Sequence, residues 1–189
     1  MGRAVVVLWV IVLGGCANRV VPPRGVVDPA TVYIADHGLH ASLLLPRREG
    51  GYREYSYGQW EWYAKGNDGS GRVFGVLFVP QGGAIGRTDW DREGFEDLRL
   101  SIGAQDLHAV RVERARAAAL LEDLDRRFEA RDGEMFFNAD HGLEFVPDDR
   151  RYWLAHGCTA QVNEWLRRLG CRVVSSAAWS EYVVEGGER

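Results

Sequence analysis

Apolar residues come in short runs along this chain, broken by glycine, proline and charge, as expected of a sheet with few helices. Thr31 to Ala35 reads as a strand, His37-Gly38 as a tight turn, and His40 to Leu45 as a second strand stopped by Pro46. Tyr52 to Tyr57 alternates aromatic with polar residues and predicts a third strand; Gln59 to Ala64 predicts a helical turn presenting Trp60, Trp62 and Tyr63. Lys65 to Gly71 is a loop of small polar residues. Arg72 to Val79 is apolar at mixed spacing, with helix preferred to strand. Gln81 to Gly94, glycine-rich around Trp90, reads as loop.

Farther on, Asp97 to Ile102 and Leu107 to Val112 predict two short strands. Arg114 to Ala130 is the clearest helix, with Ala118, Leu121, Leu124 and Phe128 on one face. Glu134 to Val146 reads as a hairpin, Tyr152-Trp153-Leu154 as a short extended piece, and Thr159 to Leu169 as an amphipathic helix. Ser176 to Val184 is a terminal helix or strand. This order of elements predicts an α+β fold: an antiparallel sheet with helices packed to one side. Ala-Asp-His-Gly-Leu occurs at both 35–39 and 139–143, but the flanks share nothing, which implies two turns rather than a duplicated domain.

The first sixteen residues break this pattern. Arg3 is a basic start, Ala4 to Leu13 an apolar core, and Leu13-Gly-Gly-Cys16 a small-residue ending before a cysteine. That ending resembles a bacterial lipobox, which implies cleavage before Cys16 and its lipidation. The apolar core is short for a bilayer span of ~20 residues. No Asp follows the cysteine, so resemblance to sorting rules favours the outer membrane, facing the periplasm. Residues 17–30, rich in proline, read as a flexible tether, and 31–189 as one domain. The net charge is −4, and the Arg residues are interleaved with Asp and Glu, so no nucleic-acid footprint exists.

The remaining cysteines, Cys158 and Cys171, would sit at opposite ends of one helix, on the order of 18–20 Å apart at its known rise. A disulfide needs Cα atoms closer than ~7 Å. Cys171 is therefore expected as a small buried hydrophobe and Cys158 as a free thiol. Cys158 stands at a helix N-terminus, where the helix dipole favours thiolate and main-chain N–H groups can hold an oxyanion. A buried, inert cysteine is the competing reading.

His40, opening an inward strand, is the candidate base. His37 in the preceding turn is the alternative, or a substrate contact. His156 is a local competitor, while His141 and His108 read as a turn and a surface strand residue. Trp60, Trp62 and Tyr63 could line a groove for a sugar or acyl chain, though such clusters are more often core. These histidines with Cys158 could also ligate zinc, but the His37-x-x-His40 spacing lacks the helical placement of zinc proteases. No metal or cofactor is expected. Nucleotide-binding and serine-hydrolase motifs are absent from the sequence.

The block Val32-Tyr-Ile-Ala-Asp-His-Gly-Leu-His40-Ala-Ser-Leu-Leu-Leu-Pro46, followed by Glu54-Tyr-Ser-Tyr-Gly-Gln-Trp-Glu-Trp-Tyr63, resembles an uncharacterised bacterial family. That family was first described as conserved hypothetical proteins encoded near urease genes. Cys158, Leu166 and Gly170 keep the spacing of its cysteine block. Its pattern is similar to circularly permuted papain-like folds, the group of NlpC/P60-type and lecithin:retinol-acyltransferase-like proteins.

The resemblance implies a permuted papain-like arrangement with Cys158 as nucleophile, His40 as base and Glu54 as the residue that orients His40. It also implies action on an amide or ester of the envelope, with cell-wall peptides ahead of lipid acyl chains as substrate. Gly157, Thr159 and Gln59 depart from the family's residues at their positions. The alternatives are a non-catalytic envelope binding or scaffold module on the same fold and, third, a zinc-dependent hydrolase.

Overall fold

A computed structural model describes residues 17–66, 79–153, 155–175 and 181–186. Its strands, in chain order, are β1 (Asn18–Val21), β2 (Pro29–Asp36), β3 (Ala41–Pro46), β4 (Tyr52–Gln59), β5 (Gln81–Trp90) and β6 (Asp106–Glu113), then β7 (Phe136–Asn138), β8 (Leu143–Tyr152), β9 (Arg172–Val174) and β10 (Tyr182–Val184). The helices are α1 (Phe95–Ile102), α2 (Arg114–Glu129) and α3 (Cys158–Arg168), with one π-helical turn at Trp60–Ala64. Seven strands form an antiparallel sheet in the order β6-β2-β3-β4-β5-β8-β7. The fold is α+β.

Alternation along the strands explains the layers. Val32, Ile34, Leu43, Leu45, Tyr55, Tyr57, Ile85 and Val146 share the main core with Leu120, Leu124 and Phe128 of α2 and with Val162, Trp165 and Leu166 of α3. The intervening Tyr33, Ala35 and Leu44 form a second cluster with Leu98 of α1. Ala84, Leu143 and Phe145 form a third beneath Ala64 of the π-helical turn. Helices therefore lie over both faces of the sheet, not one as expected.

The two misread segments have physical causes. Asp97 to Ile102 is helical because Phe95, Leu98 and Ile102 share one stripe, Glu96 pairs with Arg99 at i,i+3, and Gly103 ends the helix at φ 66°. Gln81 to Trp90 is a strand whose glycines serve close packing. A Cβ at Gly86 would stand 2.3 Å from Ser56 Oγ and 2.5 Å from the Phe145 ring.

The expected tether is also corrected. Asn18–Val21 is a strand, parallel to β10 and antiparallel to β9, and Asn18 and Val20 are fully buried. Its partners come from the far end of the chain, so no local pattern announces it.

The helices at Arg114–Glu129 and Cys158–Arg168 match expectation, as does the β7–β8 hairpin, though β8 continues to Tyr152, the first residue of the extended piece expected at Tyr152-Trp153-Leu154. His108, expected on the surface, is buried in β6. Cys158 and Cys171 are both free, as expected; Cys171 is buried as expected, and Cys158 is buried too, as the competing reading had it. The expectations for the signal segment 1–16 with its lipidation site, for 67–78, for 154 and for 176–180 lie outside the described residues.

Candidate functional site

The site forms at one end of the sheet. Asp36 of β2 pairs with Ala41 of β3 and with Asp106 of β6, and Ser42 pairs with Ser56, so the start of β3 and the end of β4 lie together. Gly157 caps α3 in an extended conformation, and the helix begins at Cys158 beside the start of β3. The sulfur lies 3.9 Å from the Leu39 carbonyl oxygen and 3.9 Å from Thr159 Oγ1, and the Ala41 N–H is directed at it. His40 thus sits between two residues whose main chain touches the thiol.

Cys158 and His40 line one cavity of about 430 Å³, together with Leu39, Trp62, Tyr63, His141 and Tyr152. A larger hollow of about 780 Å³, between α1 and the β2–β6 edge, contains neither thiol nor imidazole. His40 Nε2 is buried and has no hydrogen-bond partner. The His40 ring stacks on Tyr63 at 4.5 Å, and Tyr63 stacks on His141 at 4.4 Å. Burial, reinforced by His37 and His141, drives the His40 pKa down to about 3.

The expected thiolate is not what this environment favours. Burial pushes the Cys158 thiol up, and the opposing N–H groups of Ala41 and Thr159, with the Thr159 hydroxyl, do not cancel it. Thiol and imidazole are both neutral near pH 7.

Glu54 faces a different histidine from the one expected. Its carboxylate accepts hydrogen bonds from Ser42 Oγ at 2.5 Å and Trp90 Nε1 at 2.7 Å, and Oε1 lies 3.8 Å from His37 Nε2. Ser42 Oγ is also 3.4 Å from His37 Nε2. None of these contacts is with His40, whose ring turns onto Tyr63 instead. His37 therefore belongs to a polar cluster with Ser42 and Glu54 and does not line the cavity.

Of the expected groove aromatics, Trp62 and Tyr63 line the cavity, whereas Trp60 packs on the third core cluster beneath the Lys65 ammonium. His156 lies outside, its Nδ1 3.1 Å from the Arg151 carbonyl and its ring edge-on to Tyr57.

Two residues were missed. The Tyr152 hydroxyl interacts with the Cys158 N–H and thiol, and burial pushes the phenol well up, so it stays protonated. His141 was read as a turn residue but walls the cavity. A local signal existed for Tyr152, which stands six residues before the cysteine at the end of an extended run.

Among the described residues, no group of three or more His, Cys, Asp or Glu side chains is placed to hold a metal ion. No helix among them is long and apolar enough to cross a membrane. The chain matches no protein-family model, no curated protein and no solved structure at a significant level.

Proposed function

We propose that this is an envelope lipoprotein, acylated at Cys16 and held at the outer membrane facing the periplasm. In this reading it is a thiol hydrolase or acyltransferase on a permuted papain-like fold. One observation carries the chemistry: a free thiol at a helix N-terminus and a partnerless buried imidazole nitrogen share one cavity.

The neutral states of the two groups favour general-base attack over a preformed ion pair. Cys158 Sγ bonds to the carbonyl carbon of an amide or ester while its proton passes to His40 Nε2. The carbonyl π-electrons move to oxygen, where the first-turn N–H of α3 and the Tyr152 hydroxyl are the available donors. Collapse expels the amine or alcohol, which takes the proton from His40 and leaves a thioester. Water, or a second alcohol or amine, then cleaves the thioester with His40 again as base.

The second reading, a binding module on the same fold, is supported by the raised thiol and by the lack of contact between Glu54 and His40. Incubation with p-nitrophenyl esters separates the two. The enzyme reading expects a burst of one p-nitrophenolate per chain and an acyl adduct on Cys158. The burst should vanish in Cys158→Ser and slow by about 100-fold or more in His40→Gln. Absence of any adduct in the unaltered protein assigns the cavity to binding alone.

A further inference from the structure

No polar side chain holds the candidate base. Among the described residues no carboxylate or amide is hydrogen-bonded to the His40 ring: Glu54 serves Ser42 and Trp90, and His40 Nε2 is without a partner. An imidazole that is to take a proton from a fixed thiol still needs one orientation, because a small misplacement is costly in rate. Its nearest ring contact is the face of Tyr63, 4.5 Å away between centroids and 27° from parallel, against 6.0 Å for His37.

Tyr63 is itself fixed from several directions. A Cβ at Gly58 of β4 would stand 2.7 Å from the Tyr63 ring atoms Cγ and Cδ1 and 2.8 Å from its Cβ. That strand position has to be glycine for the ring to lie where it does. Phe145 meets the ring edge-on at 5.4 Å, and His141 stacks on it at 4.4 Å and 14°. Asn138 is buried, and its Nδ2 donates to the Tyr63 carbonyl at 3.0 Å and the Ala64 carbonyl at 3.1 Å. Asn138 Oδ1 accepts from the Asp140 N–H at 2.9 Å. One side chain thus ties the π-helical turn that carries Tyr63 to the turn that carries His141. Gln59 caps the π-helical turn by accepting from the Trp62 N–H.

We propose that Tyr63 is the positioning residue of this site: its ring, seated on Gly58 and tied down through Asn138, sets the orientation of His40 in the role expected of Glu54. The inference rests on the reading of Cys158 and His40 as nucleophile and base. It does not need the Tyr63 hydroxyl, because these contacts are made by the ring and the main chain.

Three variants of the full chain test it. Tyr63→Leu removes the aromatic face, Tyr63→Phe keeps it, and Gly58→Ala pushes the ring off its seat from the strand side. One readout is proton NMR of the histidine rings, with the His40 signals assigned by their loss in His40→Gln. The other is the rate of Cys158 acylation by p-nitrophenyl acetate.

In the unaltered protein, the ring current of Tyr63 should displace the His40 signals from their free-histidine positions. Tyr63→Leu and Gly58→Ala should return them toward those positions and slow acylation between about tenfold and about 100-fold. Tyr63→Phe should keep the displaced signals and stay within about threefold of the parent rate. Signals unmoved in Tyr63→Leu overturn the inference even where the rate falls, since that marks structural damage alone. A loss in Tyr63→Phe as large as in Tyr63→Leu also overturns it. Should Tyr63→Leu fail to fold, Gly58→Ala decides by the same two readouts. His40 signals at free-histidine positions in the unaltered protein overturn the inference without any variant. If Cys158 accepts no acyl group even there, the thiol chemistry fails, while the NMR signals still decide whether Tyr63 fixes His40.

Discussion

Acid should destabilise this protein through His40 in a way that one substitution removes. The folded state holds the imidazole pKa at about 3, against an ordinary value of 6.5. Between those values the unfolded chain binds a proton that the folded chain does not. Stability is thus fully present above pH 6.5 and is lost as pH falls toward 3. For a single group with these two values, the loss between pH 7.5 and pH 4.5 is about 3 kcal/mol, with a slope approaching ~1.4 kcal/mol per pH unit.

Urea unfolding at a series of pH values measures this directly. Carboxylates also titrate in this range, so the quantity to read is the difference between the unaltered protein and His40→Gln. The variant should lose about 3 kcal/mol less than the parent over the interval, whatever its stability at neutral pH. Parallel stability curves for the two proteins would refute the reasoning, because they would mean that His40 is protonated as readily in the folded state as in the unfolded chain.

Three further outcomes test the packing and the site. Glu54→Gln should change the rate of Cys158 acylation by less than about threefold, because the carboxylate serves Ser42, Trp90 and His37; it should still cost about 1–3 kcal/mol in urea unfolding through those buried hydrogen bonds. Gly86→Ala should destabilise by about 3 kcal/mol in the same assay, since its Cβ collides with Ser56 Oγ and the Phe145 ring, whereas Gly133→Ala, with open space around it, should cost little. Asn18→Ala should lower stability by about 2 kcal/mol by removing buried hydrogen bonds to Asn163, Ser175 and the Glu181 carbonyl, a loss that a residue in a flexible tether would not show.

Much of this molecule was readable along the chain. The strands at Pro29–Asp36, Ala41–Pro46 and Tyr52–Gln59, the helices at Arg114–Glu129 and Cys158–Arg168, and the unpaired state of the two domain cysteines follow from period, turn residues and helix rise. These are local properties, set by residues a few positions apart. Cys158 and His40 could each be singled out because a helix start and a strand start are recognisable, whereas their lining one cavity is a long-range event.

Other features depend on groups that are neighbours only after folding. Val20 becomes core because β9 and β10 arrive beside it, and the glycines of β5 mark a strand because Phe145 and Ser56 press against it. Glu54 faces His37, while His40 stacks on Tyr63, a residue that only folding brings beside it. The protonation states reversed expectation for the same reason. A helix N-terminus and a nearby imidazole are visible in the order of residues, but the desolvation that outweighs both is a property of the packed volume around them.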